Sequence, residues 1–213
     1  NWFHTFVKKH TLKSKIKELI NKEIEAIQNI PIDGIIEPVV DIIHNRVHKK
    51  EGKLIISGMG KAGQIGLNIA TTLSSTGTPS VFIHPSEAQH GDLGVVQKND
   101  VLLLISNSGK TREILEFNYL VKRLHNNIPV ISLSGKEKSP LTDISDISLF
   151  TGNPKEICPL GLTPTTSTTV MTVVGDILVV SLMEKINFTK EEYAKRHHSG
   201  YLGQKAKEWK SLH

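Results

Sequence analysis

Val101-Leu102-Leu103-Leu104-Ile105-Ser106-Asn107-Ser108-Gly109-Lys110-Thr111 reads as a buried strand that runs directly into a polar turn and the start of a helix. An unbroken apolar run suits a strand covered on both faces, which is the pattern of a parallel sheet. The small polar residues behind it fall where a helix N-terminus leaves amide N–H groups without intrahelical partners. Those amides and the partial positive charge of the helix end suit an anion, and the hydroxyls of Ser106, Ser108 and Thr111 suit a phosphate ester. Gly109-Lys110-Thr111 imitates the end of a Walker A loop, but the first glycine of that pattern would have to stand at Leu104.

A second glycine turn lies upstream. Gly58-Met59-Gly60-Lys61-Ala62-Gly63 follows Leu54-Ile55-Ile56 and opens a helix, the local setting of a dinucleotide fingerprint. The acidic residue expected at the end of the next strand is missing, because Ser80-Val81-Phe82-Ile83 ends in His84-Pro85. The turn is therefore read as a close helix–strand approach, with Lys61 at its mouth to contact the ligand.

Further out, Leu12, Ile16, Leu19, Ile20, Glu23/Ile24 and Ile27 recur at helical spacing before Pro31, and a second helix is expected from about Pro38 to Lys50. Strands are expected at 54–57, 80–83, 101–105, 129–133 and 147–150, and helices at 61–76, at 111–125 and after Pro164. Residues 134–143 read as loop. This alternation implies an α/β fold: a doubly wound, mostly parallel five-stranded sheet with helices on both faces. Residues 1–50 would pack as helices on a core formed by 51–213, the whole being one structural unit. Ligands in such sheets sit beyond the carboxyl ends of the strands, where both loops fall.

At 213 residues, with 38% hydrophobic and 22% charged residues, the chain has the makings of one globular core. The net charge of +5 is scattered, with short basic concentrations at Lys8-Lys9 and from Lys205 to Lys210, and aromatics do not interleave with them. That describes a solvated basic surface that draws in anionic substrates rather than a nucleic-acid interface. Cys158 has no partner for an internal disulfide, and no signal sequence is evident, so a cytoplasmic location is expected and Cys158 is read as a small buried residue. The apolar stretch from Val170 to Ile186 is interrupted by Gly175-Asp176 and Glu184-Lys185 and reads as a buried helix rather than a membrane span. His84 and His90 do not have a standard metal-ligand spacing. No metal and no other cofactor is expected.

Five blocks together resemble the sugar isomerase (SIS) domain family, and within it the arabinose-5-phosphate isomerases. They are Gly58-Met59-Gly60-Lys61-Ala62-Gly63, Ser74-Ser75-Thr76-Gly77-Thr78-Pro79, the stretch from His84 to Gly94, Ser106-Asn107-Ser108-Gly109, and the stretch from Lys155 to Thr169 with its Cys158-Pro159-Leu160-Gly161-Leu162 core. The resemblance implies an isomerase that interconverts ribulose 5-phosphate and arabinose 5-phosphate through an enediolate and feeds Kdo synthesis. Such chemistry needs a base that moves a proton between neighbouring carbons and a group that shuttles one between oxygens. Carboxylates with raised pKa suit the first task and histidine the second.

The family's catalytic set falls on Lys61, Glu113, Glu156 and His197, with either glutamate open as the base. Gly60, Ser106, Asn107, Ser108, Thr111, His90, Thr165, Ser167 and Thr168 would bind the substrate and its phosphate. Around His197 the chain has Arg196-His197-His198-Ser199-Gly200-Tyr201-Leu202-Gly203, where the family has Ser-His-Pro-Gly-Gly-x-Leu-Gly, so His198 competes for the role. This histidine tends to reach a neighbouring subunit, which implies a homo-oligomer, a tetramer, with shared sites. Relatives append CBS domains after the isomerase domain; this chain is expected to lack them, and feedback by a nucleotide sugar such as CMP-Kdo would act at the active site. A non-catalytic phosphosugar sensor, or an isomerase of another sugar phosphate, is the alternative reading.

Overall fold

The computed structural model describes residues 12–31, 33–198 and 203. The basic stretches at Lys8-Lys9 and Lys205 to Lys210, and residues 199–202 of the loop after His197, lie outside the described residues. Five parallel strands make one sheet: β1 (Leu54–Gly58), β2 (Ser80–Phe82), β3 (Val101–Ile105), β4 (Val130–Ser134) and β5 (Ile147–Phe150), in the order β2-β1-β3-β4-β5. All residues of β1, β3 and β4 are buried, which is why the run Val101–Ile105 of β3 contains no polar residue.

Alternate residues of each strand feed two separate cores. Leu54, Ile56, Leu103 and Ile105 pack with Val39, Ile43, Ile69, Leu73, Val174 and Leu178, contributed by helices α2 (Ile36–Ile43), α3 (Gly60–Ser75) and α7 (Thr166–Lys185). Ile55, Leu102 and Leu104 pack on the other face with Ala88, Ile114, Phe117, Val121 and Leu141, from α4 (Pro85–Ala88), α5 (Arg112–Leu124) and α6 (Pro140–Asp143). The expected doubly wound α/β architecture is therefore observed. α7 is long and apolar enough to cross a membrane, yet half of it is buried inside the fold, where it packs on α3.

Two local departures have physical causes. The second helix begins at Ile36, so Pro38 lies in its first turn, where a missing N–H costs no intrahelical bond; the helix then continues as a π-helical turn, His44–Lys49. Within 134–143, read as loop, α6 forms behind a capping box: Ser139 Oγ accepts from Thr142 N–H and Thr142 Oγ1 accepts from Ser139 N–H. α8 (Lys190–Arg196) closes the described chain, its first turn capped by Thr189.

The N-terminal region is divided in its role. α2 buries Val39, Val40 and Ile43, whereas α1 (Leu12–Gln28) touches α7 but buries none of its own residues. Leu12, Ile16, Ile20 and Ile24 on α1 are all exposed, Leu12 to 77%.

Candidate functional site

The chain leaves β1 toward β2 on one side and leaves β3 toward β4 on the other, so the carboxyl ends of β1 and β3, paired at Gly58 and Ile105, form the switch point of the sheet. The two loops singled out in the sequence emerge side by side there. Between them lies a pocket of about 260 Å³ walled by Lys61, Ser106, Asn107, Ser108, Thr111, Ser167 and Thr168, with Met59, Ile105 and Met171 as its apolar part.

The 106–111 loop is held open by its own bonds. Gly109 N–H donates to Ser106 O and Oγ, Lys110 N–H donates to Ser108 Oγ, and the Ser106 and Thr111 hydroxyls lie 2.7 Å apart. Gly109 has φ +63°, and a Cβ there would fall 2.0 Å from Ser139 Oγ, so the turn requires glycine. Among the described residues the amides of Asn107, Ser108 and Thr111 have no hydrogen-bond partner, and no side chain caps α5 or α3. Two helix N-termini thus face one pocket with unused donors, an arrangement suited to a phosphate. Gly63 brings α3 against β1, where a Cβ would meet Gly58 O at 2.6 Å. That contact carries Lys61 to the pocket mouth, its Nζ 3.5 Å from Gln64 Oε1.

Glu156 occupies the third helix end. Its Oε2 accepts from Thr165 N–H at 2.7 Å, Thr165 Oγ1 at 2.9 Å and Ser167 N–H at 3.2 Å, capping α7. Burial works to raise this carboxyl, but hydrogen bonds from Ser167 and Thr165 outweigh it and hold it below the ordinary glutamate value. The raised carboxylate expected from the sequence is not found here, because the cap stabilises the charged form. Glu156 lines a groove that shares Asn107 and Pro164 with the pocket, and a further hollow of about 440 Å³ between α1 and residues 151–156.

The other sequence candidates have varied positions. Glu113, half-buried in the first turn of α5, makes no hydrogen bond or ion pair among the described residues; it follows Thr111 by two positions but does not itself line the pocket. Gly60 opens α3 with φ +56°, and Thr165 is engaged with Glu156. His90 sits exposed in the turn after α4, outside the pocket. His197 caps α8 with its ring stacked 3.7 Å from that of Tyr193. Its neighbour Arg196 borders a hollow with Leu67, Thr71 and Ser74, in the second half of α3 and away from Lys61. Within one protomer, then, His197 does not join the pocket. No group of three metal-ligating side chains occurs among the described residues.

Two features escaped the sequence reading. Pro164 and Met171 complete the pocket wall, and Met171 could have been found from its place one helical turn after Thr168. Cys158, expected to be buried, is half-exposed instead. Hydrogen bonds from the Thr163 side chain and from the amides of Thr163, Leu162 and Leu160 push its thiol down to about 6.

Comparison with known proteins fits this geometry. The chain is 48% identical over 155 residues to the arabinose 5-phosphate isomerase KdsD of Pseudomonas aeruginosa, an alignment covering 73% of this chain and 47% of that protein. It thus spans about half the length of the curated relatives it matches. The crystal structure of a proposed phosphosugar isomerase involved in capsule formation, from Bacteroides fragilis, superposes with a TM-score of 0.88 at 59% identity, covering 90% of this chain and 100% of that one. A protein of Escherichia coli CFT073, solved in complex with arabinose 5-phosphate, superposes with a TM-score of 0.78 at 36% identity over 85% of this chain and 95% of its own. With the SIS domain model matching residues 48–181 and the pocket lying at that domain's switch point, the chain belongs to the SIS domain family.

Proposed function

We propose that this protein is an aldose–ketose isomerase that interconverts D-arabinose 5-phosphate and D-ribulose 5-phosphate. The observation that carries the reading is the pocket at the β1–β3 switch point, where the unpartnered amides of Asn107, Ser108 and Thr111 and the hydroxyls of the 106–111 loop converge with Lys61 and the Ser167-Thr168 helix start. The kinship with enzymes named arabinose 5-phosphate isomerase, and with a structure holding that sugar phosphate, supports this substrate over other phosphosugars.

The phosphate would rest on the amides of Asn107, Ser108 and Thr111 and on the Ser167 and Thr168 hydroxyls, with the carbon chain extending toward Glu113 and Glu156. A carboxylate removes the C2 proton of the aldose while O1 gains one, giving a 1,2-enediol. Return of a proton to C1 with loss of the O2 proton yields the ketose. Lys61 would stabilise negative charge on the enediolate oxygens. The cap on Glu156 stabilises its charged form and so weakens it as a base, whereas Glu113 stands without a competing partner among the described residues, which favours Glu113 for the proton transfer between carbons.

The same reading makes the protein a homo-oligomer, with four subunits expected. His197, which does not line the pocket of its own protomer, would serve a neighbour's site, and the exposed stripe on α1 would be covered by another copy. The product would feed Kdo synthesis in the cytoplasm, and CMP-Kdo is a candidate feedback ligand of the active site.

Incubation with arabinose 5-phosphate in deuterated water tests the reaction. Formation of ribulose 5-phosphate with deuterium entering from solvent is expected. Binding without turnover would overturn the isomerase and indicate a phosphosugar sensor.

A further inference from the structure

Glu23, on α1, makes a partly buried polar contact with the α7 N-terminus. Its Oε1 accepts from Thr166 Oγ1 at 2.8 Å, while Oε2 is buried with no hydrogen-bond partner among the described residues. Thr166 is 1% exposed and its Oγ1 also accepts from Ile157 N–H, at 3.2 Å. A hydroxyl has a single proton. With a lone pair committed to Ile157, that proton needs an acceptor, and Glu23 provides it. The carboxylate therefore fixes the direction of the Thr166 hydroxyl, and through it the backbone immediately after Glu156.

The neighbours of Thr166 complete the argument. Thr165 and Ser167, on either side of it, donate the hydrogen bonds that hold Glu156 Oε2. The loop carrying Glu156 is thus pinned to α7 at two successive residues, Glu156 by its side chain and Ile157 by its amide. A buried carboxylate oxygen without a partner costs stability, so Glu23 is not accounted for by the stability of the α1 seat alone. α1 buries no whole residue that would compensate.

We propose that Glu23 is a positioning residue for Glu156, acting through the Thr166 hydroxyl to hold the 156–157 backbone against the end of α7. The effect on turnover rests on the reading that Glu156 acts on the sugar; the effect on the backbone does not. Nothing in the sequence motifs around the pocket includes Glu23, which is separated from Thr166 by 143 positions.

Three variants test it. Glu23→Gln keeps an acceptor toward Thr166 and puts an amide where Oε2 stands, Glu23→Leu removes the acceptor, and Thr166→Val removes the hydroxyl at equal volume. Hydrogen exchange at the Ile157 amide, followed by NMR, should quicken about tenfold in Glu23→Leu and in Thr166→Val, roughly the loss of one hydrogen bond, and stay at the wild-type rate in Glu23→Gln. kcat for arabinose 5-phosphate should fall about tenfold in the first two with KM within about twofold, since the 106–111 loop and the Ser167 and Thr168 side chains are all kept, and Glu23→Gln should keep kcat. Unchanged Ile157 exchange in both Glu23→Leu and Thr166→Val overturns the proposal, as does a kcat loss in Glu23→Gln equal to that in Glu23→Leu. Faster exchange in a protein whose wild type lacks isomerase activity would overturn the function and leave the pin standing.

Discussion

At the scale of single residues, hydrogen-bond donors decide which groups are charged. The half-exposed Cys158 thiol is pushed down to about 6 by the Thr163 side chain and by the amides of Thr163, Leu162 and Leu160. Alkylation by iodoacetamide should follow the thiolate with a midpoint near pH 6, and Thr163→Val should move that midpoint toward the ordinary cysteine range. Glu156 is lowered in the same way, although burial opposes it. Because its folded-state pKa lies below the unfolded one, its contribution to stability is complete above the unfolded value and disappears as pH falls through the folded one. Comparing the thermal unfolding of wild type and Glu156→Gln should therefore give a gap at neutral pH that closes in acid. Both effects were illegible in the sequence, since the donors belong to turns whose amide directions depend on backbone geometry.

At the scale of elements, close approach is what aims the functional groups. Gly63 sits where any Cβ would press on Gly58 O, so Gly63→Ala should push α3 away from β1 at a cost of about 1–3 kcal/mol and lower phosphosugar affinity by displacing Lys61. Urea unfolding and a binding titration would measure the two effects. The glycine turn was legible because only the smallest residue permits such contact, and the strands were legible from runs such as Val101–Ile105. α1 was legible as a helix and not in its placement: Leu12, Ile16, Ile20 and Ile24 have the spacing of a buried face but remain exposed. Replacing Ile20 by Lys should leave the protomer folded and reduce its association, as read by light scattering.

At the scale of the whole molecule, the sheet is clamped at its amino end by an ion pair and carries an open pocket at its carboxyl end. Asp100, fully buried, accepts from Lys53 Nζ at 2.8 Å and from the amides of Lys53 and Gln97. Asp100→Ala should cost about 3 kcal/mol in chemical denaturation, because the lysine and both amides lose their acceptor. With sites shared between subunits as proposed, Lys61→Ala and His197→Ala should each lose activity and their mixture should regain part of it, since some hybrid sites would contain both native groups. The sequence by itself determined the parallel doubly wound sheet, the two loops at its mouth and the hydroxyl-rich helix start at 106–111, because periodicity, glycine and hydroxyl spacing act over short stretches of chain. Only the tertiary structure decided that Glu156 caps α7 and is lowered rather than raised, that Glu23 reaches Thr166, and that His197 stands apart from its own pocket. Those outcomes depend on which groups meet across distant elements, and local residue order does not encode the direction of a hydrogen bond between them.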